Sequence, residues 1–234
     1  MGASTPSGGS RLSDADGGAR SRVTPATQAI RLATTMTGGV SLAIWMGGVA
    51  RELNLLSQAS EWRSRMTASE ELPTMDSASL LADRVRLLYL RLIDELDVTV
   101  DVDVLSGASA GGINAASLAY SRVTGKDLGN FRELWLTLGS LVELLREPTD
   151  TDVPSLMYGD LKLFAPLNTA LAELKQWPMS RATDRSLDLP PTTLFVTTTL
   201  MTGETSRFTD SYGTVVQDVD HDGVFSFTER SRAA

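Results

Sequence analysis

The alternation of apolar and polar positions along this chain changes period several times, and each change marks a new element. Residues 29–35 are a short run of apolar and β-branched positions that predicts a strand. The glycine pair Gly38-Gly39 follows, and then an apolar segment over about 42–56 that predicts a helix. Residues 57–79 turn polar, with Pro73 and scattered charges, and predict a surface excursion. Asp76 and Ser77 supply capping side chains for a helix on which Leu81, Val85, Leu88 and Leu92 recur on one face. Residues 98–105, β-branched with interleaved Asp, predict a second strand that runs into the glycine-rich stretch "SGASAGGIN". After it, 113–121 predicts an alanine-rich and therefore closely packed helix. Further helices are expected over 131–145 and within 161–177, and a strong strand over 192–200. Residues 206–228 read as short strands joined by turns at Tyr212-Gly213 and Asp222-Gly223. Strands separated by helices imply an α/β fold with a largely parallel sheet and helices on both faces.

Composition refines this outline. Residues 1–28 carry almost nothing large and apolar, so they are expected to form a disordered tail, leaving 29–234 as one domain. They also lack the apolar core of a secretory signal. No charge occurs from Leu32 to Ala50, but the glycines and hydroxyls within that run favour a buried strand, turn and helix over a membrane span. With 42% hydrophobic and 21% charged residues, the chain has the balance of an ordinary globular protein. A net charge of -8 without a cluster of Lys and Arg argues against nucleic acid as a partner. The absence of cysteine excludes disulfides, thiolate metal sites and a cysteine nucleophile, and fits a reducing compartment such as the cytoplasm.

The chemistry centres on Gly107-Ala108-Ser109-Ala110-Gly111, a G-x-S-x-G pentapeptide placed between a predicted strand and a predicted helix. That context is the one a nucleophile elbow requires, because the sharp turn leaves no room for side chains beside the serine. Unpaired N–H groups at the helix start favour developing negative charge, and the N–H of Ala110 is placed to face an oxyanion. Two blander readings compete: Ser109 as an inert helix cap, and a dinucleotide phosphate loop, which fits poorly because Ser109 stands where a glycine is needed. The first glycine turn, "TMTGGVSLAIWMGG", repeats the strand, turn and helix pattern, and in a parallel sheet both turns fall at the same carboxyl edge. Gly38 and Gly39 are then candidate oxyanion donors.

This pair of motifs, in this order, resembles the patatin-like phospholipase family, and more narrowly its long bacterial patatin-related branch. The likeness is carried by "GGVSLAIWMGG" and "GASAGGIN", covers about 30–121, and extends more loosely through "LREPTDTDVPSL" and "FTDSYGT". It implies a three-layer α/β/α sandwich and hydrolysis of lipid acyl esters through an acyl-serine, with no cofactor. It further implies a lipid or ester as substrate and transient contact with a membrane surface. Thr37, Ser41 and Leu42 stand where the more familiar patatin pattern has a glycine, a basic residue and a glycine. The resemblance also implies an aspartate base in an Asp-Gly-Gly or Asp-Gly-Ala motif downstream of the serine, and none follows Ser109. Asp16-Gly17-Gly18 lies in the tail, and Asp222-Gly223-Val224 reads more simply as a hairpin turn. The chain is therefore expected to be an incomplete patatin domain. His221 is the single histidine and adjoins Asp222 in the same expected turn.

A calcium-binding module is the alternative from another class. Asp218, Asp220, Asp222, Gly223 and Glu229 match positions one, three, five, six and twelve of an EF-hand loop, with Phe225 at the apolar eighth. The flanking sequences do not read as the two helices an EF-hand needs, so a hairpin is preferred and no metal ligand is assigned. Trp45, Met46 and the leucines around Trp135 read as core.

Overall fold

A computed structural model of the 234-residue chain describes residues 20–75, 80–129, 131–138, 141–149, 155–174 and 191–229. In order, the elements are β1 (Gln28–Met36), α1 (Val40–Arg65), α2 (Leu81–Glu95), β2 (Val98–Ala108), α3 (Ala110–Thr124), α4 (Phe131–Leu138) and α5 (Leu141–Leu144). A π-helical turn (Gly159–Phe164) then runs into α6 (Ala165–Leu174), followed by β3 (Thr192–Thr209) and β4 (Val215–Glu229).

The sheet order is β1-β2-β3-β4; β1, β2 and β3 are parallel and β4 is antiparallel. Parallel crossovers are right-handed, so strands laid down in sequence order place both crossover helices on the same face. The packing agrees. Val98, Val100 and Val102 alternate onto one face, where the first two meet Leu87, Leu90 and Ile93 of α2 and the third meets Ala43, Met46, Ala115 and Leu118 of α1 and α3. On β1 the opposite face, Ala29, Arg31, Ala33 and Thr35, is exposed. The fold is thus the expected mixed α/β with a mostly parallel sheet. It is an incomplete three-layer sandwich in which the described helices cover one face instead of the expected two.

One bulge matters for the site. Leu32 pairs with Val102 and Ala33 with Val104, so Asp103 is an extra residue in β2. It is buried and paired with Arg31. The inserted residue flips the alternation, which brings Leu105 back onto the helix-bearing face before the strand ends.

The expected polar excursion over 57–79 is helical over its first nine residues, 57–65. α1 runs on to Arg65, and Ser57, Gln58, Ser60, Glu61 and Arg63 are buried. The reason is an unpaired sheet edge: β3 joins β2 only from Val104 onward. Ahead of that point, Ser60 Oγ accepts the Val100 N–H at 2.8 Å and the Arg63 guanidinium donates to the Val98 carbonyl at 3.2 Å. Polar side chains of α1 therefore replace a neighbouring strand, which a buried backbone edge requires. Arg122 of α3 completes the layer, donating to Ser57 Oγ and Thr192 Oγ1 and pairing with Asp101.

Other expectations shift for similar reasons. Residues 1–19 and the proposed cap at Asp76-Ser77 lie outside the described residues, but order begins before residue 29. The Arg22 N–H bonds the Met66 carbonyl at 2.9 Å, and its guanidinium pairs with Asp94 at 2.6 Å. The leucine face picked out on α2 is the wrong one: Leu81, Leu88 and Leu92 are exposed while Leu87, Leu90 and Ile93 are buried. Arg86 hides the true core face, because it is itself buried there, bonded to Gln58, Asp83 and Asp127. The segment 131–145 is helical over 131–138 and 141–144 rather than one described helix.

Glu61 gives a test of the polar edge. Burial pushes its carboxyl up to about 7, against the pull of Arg122 and Arg65 and with a push from Asp101. The unfolded chain releases that proton near 4.5, so the contribution to stability present at acid pH is lost as pH rises through about 7. Urea denaturation between about pH 5 and pH 8 should show the wild type losing roughly 3 kcal/mol relative to Glu61→Gln. A difference that stays constant over that range contradicts the assignment.

Candidate active site

Ser109 sits at the junction of β2 and α3 with φ 54° and ψ -128°. A non-glycine residue in that region costs on the order of 1–3 kcal/mol and persists only where its surroundings impose it. Three close approaches do so. A Cβ on Gly107 would lie 2.6 Å from the Gly112 nitrogen, one on Gly111 would lie 2.6 Å from the Thr37 carbonyl oxygen, and one on Gly38 would lie 2.9 Å from Ser109 Cβ. The side chain of Ser109 is exposed and makes no capping bond to α3, which removes the inert-cap reading.

The register explains why these residues meet. Met36, the last residue of β1, pairs with Gly107 near the end of β2, so the parallel strands finish level. Residues 37–39 then turn into α1, and Ser109 alone turns the chain into α3. Gly39, with φ 131° and ψ 128°, is the N-cap of α1 and offers no side chain to it. Two helix N-termini thus open side by side at the carboxyl edge of the sheet, each with N–H groups that have no partner within the helix. Gly38, Gly39, Gly107, Ser109, Ala110 and Gly111 are brought together as the two glycine turns led one to expect.

Asn114 was not singled out from sequence, although it closes the "GASAGGIN" stretch. It is fully buried, donates to the Ala43 carbonyl of α1 at 3.2 Å and accepts from Trp135 Nε1 of α4 at 2.8 Å. It therefore pins the first turn of α1 to α3, and with it the Gly38-Gly39 turn against Ser109. An amide among the small and apolar residues that open α3 is the signal that could have revealed it.

Other candidates fall elsewhere. Met46 and Trp135 are core as expected, whereas Trp45 is 67% exposed. The Asp222-Gly223 pair is not a turn but lies within β4, opposite Thr199 and Thr198; the turn comes earlier, at 210–214. Gly223 is needed there because a Cβ would come within 2.9 Å of Thr198 Cγ2. His221 Nδ1 is 2.8 Å from the Leu200 carbonyl oxygen, and the Asp222 N–H bonds the Asp220 carboxylate, so neither residue is hydrogen-bonded to Ser109. The EF-hand pattern is likewise drawn out along β4. At about 3.3 Å per residue its first and twelfth positions stand roughly 36 Å apart, so these side chains are strung along a strand and do not form a loop. Asp16-Gly17-Gly18 lies outside the described residues.

Over 217 residues, 91% of its length, the chain is 57% identical to a protein of Mycobacterium tuberculosis (strain ATCC 25618 / H37Rv) named "Uncharacterized membrane protein Rv3479". The match takes in 20% of that protein, so the chain spans about a fifth of its relative's length. No family model and no solved structure matches. Among the described residues, no helix is long and apolar enough to cross a membrane.

The strain at Ser109 is measurable. Ser109→Gly should raise stability by about 1 kcal/mol in thermal or urea denaturation, because glycine occupies that region without penalty. Gly111→Ala should lower stability by about 3 kcal/mol or more in the same assay, since its Cβ would press on the backbone carbonyls of Met36 and Thr37.

Proposed function

We propose that this chain carries the nucleophile and oxyanion site of a patatin-like lipid acyl hydrolase. The observation that carries the reading is the exposed, strained Ser109 set against Gly38 at the mouths of two helices. In this mechanism Ser109 Oγ attacks the ester carbonyl carbon while a carboxylate base takes its proton. The oxygen that becomes negative is met by N–H groups of Gly38, Gly39 and Ala110, which are fixed before the reaction and need no reorganisation. The C–O bond then breaks, the alcohol leaves with the proton returned by the base, and water attacks the acyl-serine to release the fatty acid and regenerate Ser109.

No described carboxylate is hydrogen-bonded to Ser109, and no Asp-Gly-Gly or Asp-Gly-Ala motif follows it within residues 110–234. In this reading residues 1–234 alone lack the aspartate base and are expected to hydrolyse p-nitrophenyl esters weakly or not at all. Thr37, Ser41 and Leu42 supply no positive charge beside the oxyanion turn, which favours recognition of the neutral acyl ester over a phosphate headgroup. The proposed place of action is the cytoplasmic periphery of a membrane.

Covalent labelling of the full-length protein by a fluorophosphonate is the primary test, with p-nitrophenyl ester turnover as the second readout. Ser109→Ala should abolish labelling. Gly38→Ala, whose Cβ would crowd Ser109, should lower both readouts about a hundredfold. Undiminished labelling of Ser109→Ala overturns the proposal.

A further inference from the structure

We propose that the cavity between the amino ends of β1 and β2 and the second half of α1 binds a small aliphatic primary amine, held as its ammonium ion by Glu61. The site does not rest on the hydrolase reading and lies away from the candidate active site. Asp101 borders it, and the chain from there to Ser109 spans roughly 26 Å of extended strand.

The cavity measures about 280 Å³, room for a small organic molecule, since a cavity of roughly 150 Å³ already holds benzene. Val23, Ala29, Ile30 and Val100 supply apolar wall, while Glu61, Ser64 and Thr99 supply oxygen. Glu61 is 7% exposed, and no hydrogen bond or ion pair within the described residues reaches its carboxyl group. Buried polar groups are nearly always bonded, so a bare carboxyl facing a cavity points to an occupant.

The charged neighbours are committed elsewhere. Arg122 of α3 pairs with Asp101 of β2 and donates to Ser57 and Thr192. Arg31 of β1 pairs with Asp103, and Arg65 Nε donates to the main-chain carbonyl of Glu61 at 3.1 Å. Burial raises the Glu61 carboxyl to about 7 against the pull of Arg122 and Arg65, and Asp101 adds to the rise. Its negative charge is thus the one at this cavity that no neighbour meets at short range.

The walls narrow the ligand to an amine. A divalent metal needs several oxygen ligands, and among the described residues no three carboxylate or imidazole groups gather to provide them. An anion would meet the carboxylates of Glu61 and Asp101. An ammonium group on a short hydrocarbon stem suits both kinds of wall. Its N–H groups can donate to Glu61 and to Ser64 Oγ, whose own proton goes to the Ser60 carbonyl at 2.9 Å. The stem then lies against Ile30 and Val100.

Binding takes the ionised carboxylate, so Glu61 gives up its proton to water as the ammonium arrives. Affinity therefore rises with pH and levels off above about 7. Isothermal titration calorimetry of the full chain with n-pentylammonium chloride should give binding about tenfold tighter at pH 8 than at pH 6. Glu61→Gln, which keeps the volume and removes the charge, should abolish binding. Ser64→Ala should weaken it about tenfold. Pentan-1-ol, with the same stem and no charge, should not bind. The site is overturned by absence of binding heat in the folded wild type at pH 8, by undiminished affinity in Glu61→Gln, or by equal binding of pentan-1-ol.

Discussion

The structure depends on one close approach, that of the α3 start to the end of β1. A Cβ on Gly111 would collide with the carbonyls of Met36 and Thr37, and one on Gly38 with Ser109, so the two strand-to-helix turns are fitted against each other with no space for a methyl group. Parallel pairing of Met36 with Gly107 brings the turns level, and Asn114 ties the helices that leave them. The unusual backbone at Ser109 is a product of that fit. It belongs to the contact between two turns, and the serine alone does not create it.

Helix α1 serves two environments along one axis. Its first eleven residues, Val40–Ala50, are uncharged, with small residues such as Ala43, Gly47 and Ala50 buried towards α3 and α4. Its second half turns polar at the point where β2 loses its β3 neighbour, and Ser60 and Arg63 complete the hydrogen bonds of the strand edge. The change in composition near residue 57 therefore marks a change in what the helix covers. It does not mark the end of the helix.

Much of this was legible from sequence. The strands β1, β2 and the start of β3, the glycine turns and the placement of Ser109 follow from β-branched runs, helical periodicity and glycine spacing. What sequence misplaced was set by tertiary contacts, most often by polar residues that those contacts bury. The buried end of α1 looked like a surface loop, and Arg86 disguised the core face of α2 while an exposed leucine stripe imitated one. Asp222-Gly223 looked like a turn, because neither the hairpin register nor the crowding of Gly223 by Thr198 can be read from local composition. Trp45 looked like core because side-chain type carries no information about which side of an apolar helix lacks a neighbour.

The missing capping bond at Ser109 has a wider meaning. Because the hydroxyl makes no capping bond to α3, the turn does not depend on that oxygen to keep its shape. In the proposed hydrolase, chemistry and architecture are therefore separable at this position: a single exchange would remove or restore the nucleophilic oxygen while the surrounding framework persists.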